Sequence, residues 1–184
     1  MIYKVTSNKP EFKTVVFNSG FNVILAEREN TADNKRTRNG AGKTTLVEII
    51  HFCLGTTVNK KSVFMNENLK GWSFGLEIDI SGERYKIERF VEEPGKIFIK
   101  GNLDCFSHEC KYDEKRKRYY LHLRAFNEEM QEKFYGFTLS DEERNVPSFR
   151  ELISYVIRRN AEGYKSAFEF LSRQTPSSVQ ICNS

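Results

Sequence analysis

The chain has 184 residues, enough for one domain with a sizeable core and too few for two large ones. Hydrophobic residues make up 39% and charged residues 29%, which excludes a disordered or collagen-like chain and fits an ordinary globular one. A formal net charge of +4 permits contact with nucleic acid without arguing for it, and no apolar run approaches the roughly 20 residues of a membrane span.

The first segments read as strands: "IYKV" around Tyr3, "KTVVF" from Lys13 to Phe17, and "FNVILA" from Phe21 to Ala26, separated by turn-forming residues. The third is apolar enough for a buried central strand. Between Ala26 and Thr37 the polar stretch "ERENTADNKR" has no periodicity and reads as an exposed, mobile loop. Leu46, Ile49, Ile50, Cys53 and Leu54 then fall on one face of a helix that Gly55 can end.

From Ser73 the pattern changes to period two, with Phe74, Leu76, Ile78 and Ile80 alternating with polar or small residues, as in a strand with one wet face. Ser81-Gly82 turns the chain into "ERYKIERFV", and Pro94-Gly95, suited to a type II turn, leads into "KIFIKG". These segments form an antiparallel meander. Helical spacing returns at Phe126, Met130 and Phe134, and again at Phe149, Leu152, Ile153, Val156 and Ile157. The second of these helices starts at a capping box, Ser148 and Glu151 after Pro147. Four parts result: a phosphate-loop core with a β meander over 1–101, an irregular basic insertion over 102–124, a helical part over 125–173, and a tail over 174–184 that reads as truncated.

The run Thr37, Arg38, Asn39, Gly40, Ala41, Gly42, Lys43, Thr44 and Thr45 matches the phosphate-loop pattern GxxxxGK[ST] except that Thr37 stands at the first glycine. Gly40 and Gly42 let backbone N–H groups approach phosphate oxygens. Lys43 is placed to reach the β- and γ-phosphates, and the Thr44 hydroxyl to hold Mg²⁺. The strand before and the helix after supply the expected context, and the helix aims its positive end at the same anion.

The segments "FNVILA", "RNGAGKTTLVEIIHFCLG" and "FGLEIDISGERYKIERFVEEPGKIFIKG" resemble the N-terminal half of an ABC-type ATPase head of the SMC, RecF, RecN and SbcC group. They are most similar to a bacterial family of SMC-like coiled-coil proteins of poorly defined function, and "SFRELISYVIRR" is similar to a helix of that family. The resemblance implies an α/β P-loop NTPase lobe with an antiparallel β subdomain, ATP and Mg²⁺ as cofactors, and a head that works in head-to-head pairs on a coiled coil. It also implies work on DNA, in genome maintenance or phage defence.

Hydrolysis in such heads needs a Walker B strand and a signature loop. "GLEIDI" offers Asp79 but alternates like a half-exposed strand, and "TLSDEER" (138–144) places Asp141 and Glu142 where signature glycines approach the γ-phosphate. Neither fits. Gln174 or Gln180 could stand for the Mg²⁺-sensing glutamine, with an ordinary surface role the plainer reading of each. The expectation is a half-head that binds nucleotide and needs a C-terminal lobe, from the same or another chain, to hydrolyse it. A small P-loop kinase and a non-catalytic truncated module are the rival readings.

Other residues carry weaker signals. Cys105, His108 and Cys110 have zinc-like chemistry, but no fourth ligand stands at suitable spacing. The four cysteines follow no disulfide framework and, with no signal peptide, fit a cytoplasmic chain with reduced thiols. Lys115, Arg116, Lys117 and Arg118, next to Tyr119 and Tyr120, form a basic and aromatic run suited to DNA. His51 reads as a residue at the edge of the core, His122 has no nucleophile beside it, and Glu92-Glu93 reads as surface charge.

Overall fold

A computed structural model describes residues 1–25, 43–136 and 147–159. They form a seven-stranded antiparallel sheet: β1 (Ile2–Ser7), β2 (Val15–Val16), β3 (Ser73–Ile80), β4 (Glu83–Phe90), β5 (Lys96–Lys100), β6 (Lys111–Asp113) and β7 (Arg118–His122). Across the sheet the order is β2-β1-β3-β4-β5-β7-β6. Three helices accompany it: α1 (Lys43–Cys53), α2 (Leu123–Tyr135) and α3 (Phe149–Val156). Helix α1 packs on β3 and β4, α2 on β5 and β7, and α3 against α2.

The register explains which residues form the core. Strand pairing aligns Val5, Leu76, Ile87 and Ile99 in one row across the sheet, and Phe74, Arg89, Ile97 and Leu121 in the next. All eight are buried. Because side chains alternate faces along a strand, these rows point to one side, and the helices cover it. An aromatic group closes the end near α1: Phe52 stacks on Phe64 with ring centroids 4.1 Å apart, and Phe74 meets both edge-on. Truncating a ring such as Phe52, which is wholly buried, costs about 3–5 kcal/mol.

Local signals set the boundaries. Ser81 (φ 53°) and Gly82 (φ 85°) form a two-residue turn of type I′, and the Asp79 carboxylate accepts from the Gly82 N–H at 3.0 Å. That is a structural role for Asp79. The capping box at the start of α3 is complete, with the Ser148 hydroxyl accepting from the Glu151 N–H and the Glu151 carboxylate from the Ser148 N–H.

Several expectations change. Phe21 to Leu25 form no strand, and Phe21 is 94% exposed; the strand nearest before the run, β2, is only two residues long and stands at the sheet edge. Ser73 and Gly75 are buried rather than wet, since the other face of β3 is also covered at that end. The stretch 102–124 holds the β6–β7 hairpin, which continues the sheet instead of leaving it. The Pro94-Gly95 turn closes through Lys96 N–H to Glu93 C=O at 3.0 Å without a positive φ at Gly95, so it is not of type II. Val156 is exposed because α3 ends there. The loop 27–36, "TLSDEER", and residues Gln174 and Gln180 lie outside the described residues.

Two glycines separate conformational need from accident. Gly55 has φ +82°, and a Cβ there would stand 2.1 Å from Asn127 Oδ1, whereas one at Gly95 would meet nothing within 4 Å. Gly55→Ala should destabilise the chain by about 1–3 kcal/mol, and Gly95→Ala should be neutral or stabilising by up to about 1 kcal/mol. Urea unfolding of both variants checks this, and equal midpoints would refute it.

Candidate nucleotide-binding site

Lys43 opens α1, and Thr44 and Thr45 follow in its first turn with exposed side chains; Thr37, Arg38, Asn39, Gly40, Ala41 and Gly42 lie outside the described residues. The first turn of a helix has N–H groups without intrahelical partners and the positive end of the helix dipole. No acidic side chain stands in this turn of α1 to oppose an anion. The position suits phosphate.

The other end of α1 is held by an unusual set of contacts. Thr56 N–H bonds to His51 C=O at 3.0 Å and Gly55 N–H to Phe52 C=O at 3.2 Å, a Schellman motif with Gly55 in the left-handed position. Arg89 reaches this end from β4. Its Nη1 donates to the carbonyls of Phe52 at 2.5 Å and Thr56 at 2.8 Å, and its Nε and Nη2 donate to the carbonyl of Pro94. Its guanidinium also lies over the Phe52 ring, 4.4 Å from the centroid. Arg89 is fully buried, and burial lowers its pKa to about 10, which leaves it charged at neutral pH. The charge faces the negative end of the α1 dipole instead of a carboxylate.

Arg150, in the first turn of α3, completes the arrangement. Its Nη1 donates to Leu54 C=O at 2.8 Å, and its Nη2 to the Thr56 hydroxyl at 2.6 Å and to His51 Nδ1 at 2.9 Å. His51 is fully buried and bonds through Nε2 to Ile157 C=O at 2.9 Å. A carbonyl only accepts and a guanidinium only donates, so the imidazole is neutral with its proton on Nε2. Arg159 adds an ion pair to Glu48 at 3.3 Å. His51 is therefore more than a residue at the edge of the core: it links α1 to the end of α3.

Sequence reasoning passed over Arg89 and Arg150. A signal for Arg89 existed, since it falls in phase with Tyr85, Ile87 and Val91 on the inward face of its segment. A charge at such a position marks a buried, specifically partnered group.

The structure places the remaining candidates as follows. Arg116 is turned inward, paired with Glu93 at 2.5 Å and lying 3.5 Å over the Phe90 ring, while Lys115 and Lys117 are exposed and Arg118 pairs with Glu88. Glu93 thus has structural partners, and Arg116 keeps its pKa below the ordinary value. His108 contacts Glu128 at 3.1 Å and Glu129 at 3.0 Å, and Cys105 contacts the Tyr85 hydroxyl at 3.1 Å. Among the described residues, no three His, Cys, Asp or Glu side chains are grouped to hold a metal ion. His122 caps the start of α2 by its backbone and is exposed.

Burial, with Arg150 and Arg159 nearby, lowers the His51 pKa from 6.5 to about 4. The unfolded chain takes up this proton below about pH 6.5, whereas the folded chain resists it until about 4. Stability is therefore fully present above that window and falls with pH by at most about 1.4 kcal/mol per unit inside it. NMR titration of the His51 ring should give a midpoint near 4, and an ordinary midpoint would remove this account.

The family model described as an AAA domain matches residues 6–172 of the chain. No curated protein matches it. The matched stretch runs from the end of β1 through α3 and includes the run Thr37 to Thr45. No described helix is long and apolar enough to cross a membrane. The chain belongs to the AAA domain family of P-loop ATPases.

Proposed function

We propose that this chain is the ATP-binding N-terminal lobe of an SMC-like coiled-coil ATPase, holding Mg²⁺-ATP on Gly40, Gly42, Lys43 and Thr44, with Thr37, Arg38, Asn39, Ala41 and Thr45 completing the loop. The reading is carried by the phosphate-loop sequence running directly into α1, whose first turn has no acidic residue. Lys43 supplies charge to the β- and γ-phosphates, and the Thr44 hydroxyl supplies a ligand to Mg²⁺. When bound, Mg²⁺ neutralises charge on the phosphates.

The second half of the proposal is that hydrolysis requires a C-terminal lobe, from the same or another chain, in a head-to-head dimer. The exposed apolar run Phe21 to Leu25, which precedes the phosphate-loop run in the chain with residues 26–36 between them, supports this. Phe21, Val23 and Leu25 have 94%, 62% and 77% of their surface exposed. An apolar surface of this kind gains stability when another unit covers it. The proposed setting is DNA maintenance or phage defence in the cytoplasm.

The test is calorimetry of Mg²⁺-ATP on the chain and on Lys43→Ala, with phosphate release measured in the same samples. Binding should weaken by roughly 10- to 100-fold in the variant, the loss of one charge-assisted contact, and neither sample should turn over. Turnover by the isolated chain would overturn the need for a second lobe. Failure of the chain to bind would overturn the nucleotide reading.

A further inference from the structure

Strands β5 and β7 pair through Lys96, Ile97 and Phe98 opposite His122, Leu121 and Tyr120, and there the ladder stops. Both strands extend two residues further, β5 through Ile99 and Lys100 and β7 back through Tyr119 and Arg118. A cleft of about 850 Å³ lies between them, and the chain bends away from β5 at Gly101. On their far sides β5 is paired to β4 and β7 to β6, so the cleft is bounded by two strands that already belong to the sheet. The N–H and C=O groups of a strand point alternately to its two neighbours. Main-chain donors and acceptors of both strands therefore face the cleft without a strand partner among the described residues.

The two faces of the sheet differ in chemistry here. Ile99 and Tyr119 stand with Ile97 and Leu121 on the face that the helices cover, and Tyr119 keeps 49% of its surface exposed. Lys100 stands on the opposite face, directly across from Lys86 on β4, with Glu77 of β3 beyond Lys86 in the same row. Like charges in register destabilise a strand pair, and an acid placed on the free side of Lys100 offsets that. No ion pair among the described residues includes Lys86 or Lys100. Arg118 reaches across β5 on this face to the Glu88 carboxylate and neutralises it. Asp104 is the remaining acid of the lining, and it is exposed.

A ligand that meets both faces at once must itself have two sides, and an extended peptide does, because its successive side chains point to opposite faces. We propose that the cleft takes up an extended segment of a partner protein as an added strand between β5 and β7, with acidic side chains toward Lys100 and Lys86 and apolar side chains toward Ile99 and Tyr119. Main-chain hydrogen bonds hold such a strand, and the alternation of side chains selects it. With a rise of about 3.4 Å per residue, a strand spacing of about 4.8 Å and a sheet thickness of about 10 Å, one strand residue fills roughly 160 Å³. The cleft of about 850 Å³ has room for about five. This site lies in the meander and does not depend on the phosphate loop binding nucleotide.

The test is fluorescence anisotropy of a labelled acetyl-VEVEVE peptide on the full 184-residue chain, with amide hydrogen exchange followed in the same complex. The peptide should bind saturably, and exchange should slow at main-chain N–H groups between Ile99 and Gly101 and at Arg118 or Tyr119. Lys100→Glu should weaken binding roughly tenfold and tighten that of acetyl-VKVKVK by a similar factor. Tyr119→Thr, which keeps a strand-forming residue, should weaken VEVEVE several-fold. Lys61→Glu, the same charge reversal at an exposed residue outside the lining, should change neither peptide, and Lys43→Ala should bind VEVEVE as the unchanged chain does. VEVEVE methylated on the amide nitrogen of each glutamate keeps its side chains but loses those main-chain donors, and should bind roughly tenfold more weakly. Absence of saturable binding by VEVEVE overturns the proposal, and so does equal binding of VVVEEE or of the methylated peptide. Equal loss in Lys61→Glu and Lys100→Glu also overturns it, as does a complex in which exchange at the cleft is unchanged. Self-association of the chain that protects the same amides without peptide assigns the cleft to a second copy and overturns it too.

Discussion

The buried guanidinium of Arg89 is the constraint on which the rest of this fold depends. A charge removed from water is costly unless its hydrogen bonds are met, and here they are met by main-chain carbonyls of Phe52, Thr56 and Pro94. Those oxygens belong to three different parts of the chain: the last turn of α1, the residues after it, and the β4–β5 turn. One side chain therefore fixes the meander to the helix. Lysine could not replace it, because a single ammonium on a flexible stem cannot span carbonyls set in a planar fork.

This anchor has a consequence for the phosphate end of α1. A helix transmits position along its axis, so holding its last turn against β4 and α3 sets the direction of its first turn, where Lys43 and Thr44 stand. The meander, which carries no evident chemistry toward nucleotide, acts as the base from which that direction is set.

Features determined by near neighbours in the chain were readable from the sequence. The α1 stripe, its stop at Gly55, the Ser81-Gly82 turn and the Ser148-Glu151 capping box each depend on a few adjacent residues, and each stands where its residue types place it. What depends on distant partners was not readable. Phe21 to Leu25 has the composition of a buried strand, but composition does not say which strand lies alongside, and among the described residues none does. Gly95 permits a positive φ without requiring one. Arg116 looked like a free cation in a basic run, and only the fold brings Glu93 and Phe90 to it. For the candidate site, the helix could be read directly, whereas the loop before it lies outside the described residues and the roles of the two arginines at the far end of the helix depend on the fold. The partners of Arg89 are backbone oxygens, and those of Arg150 include the Leu54 carbonyl with the His51 ring and the Thr56 hydroxyl, nearly a hundred residues away in the chain.

The joint between α1 and α3 is also mechanical. His51 bonds to Ile157, Arg150 to Leu54 and Thr56, and Glu48 to Arg159, so three contacts on different turns resist rotation of one helix about the other. A load on the chain where it leaves α3 reaches α1 through these contacts as well as α2, on which α3 packs. Turning α3 would turn α1 with it, and so the first turn that Lys43 opens.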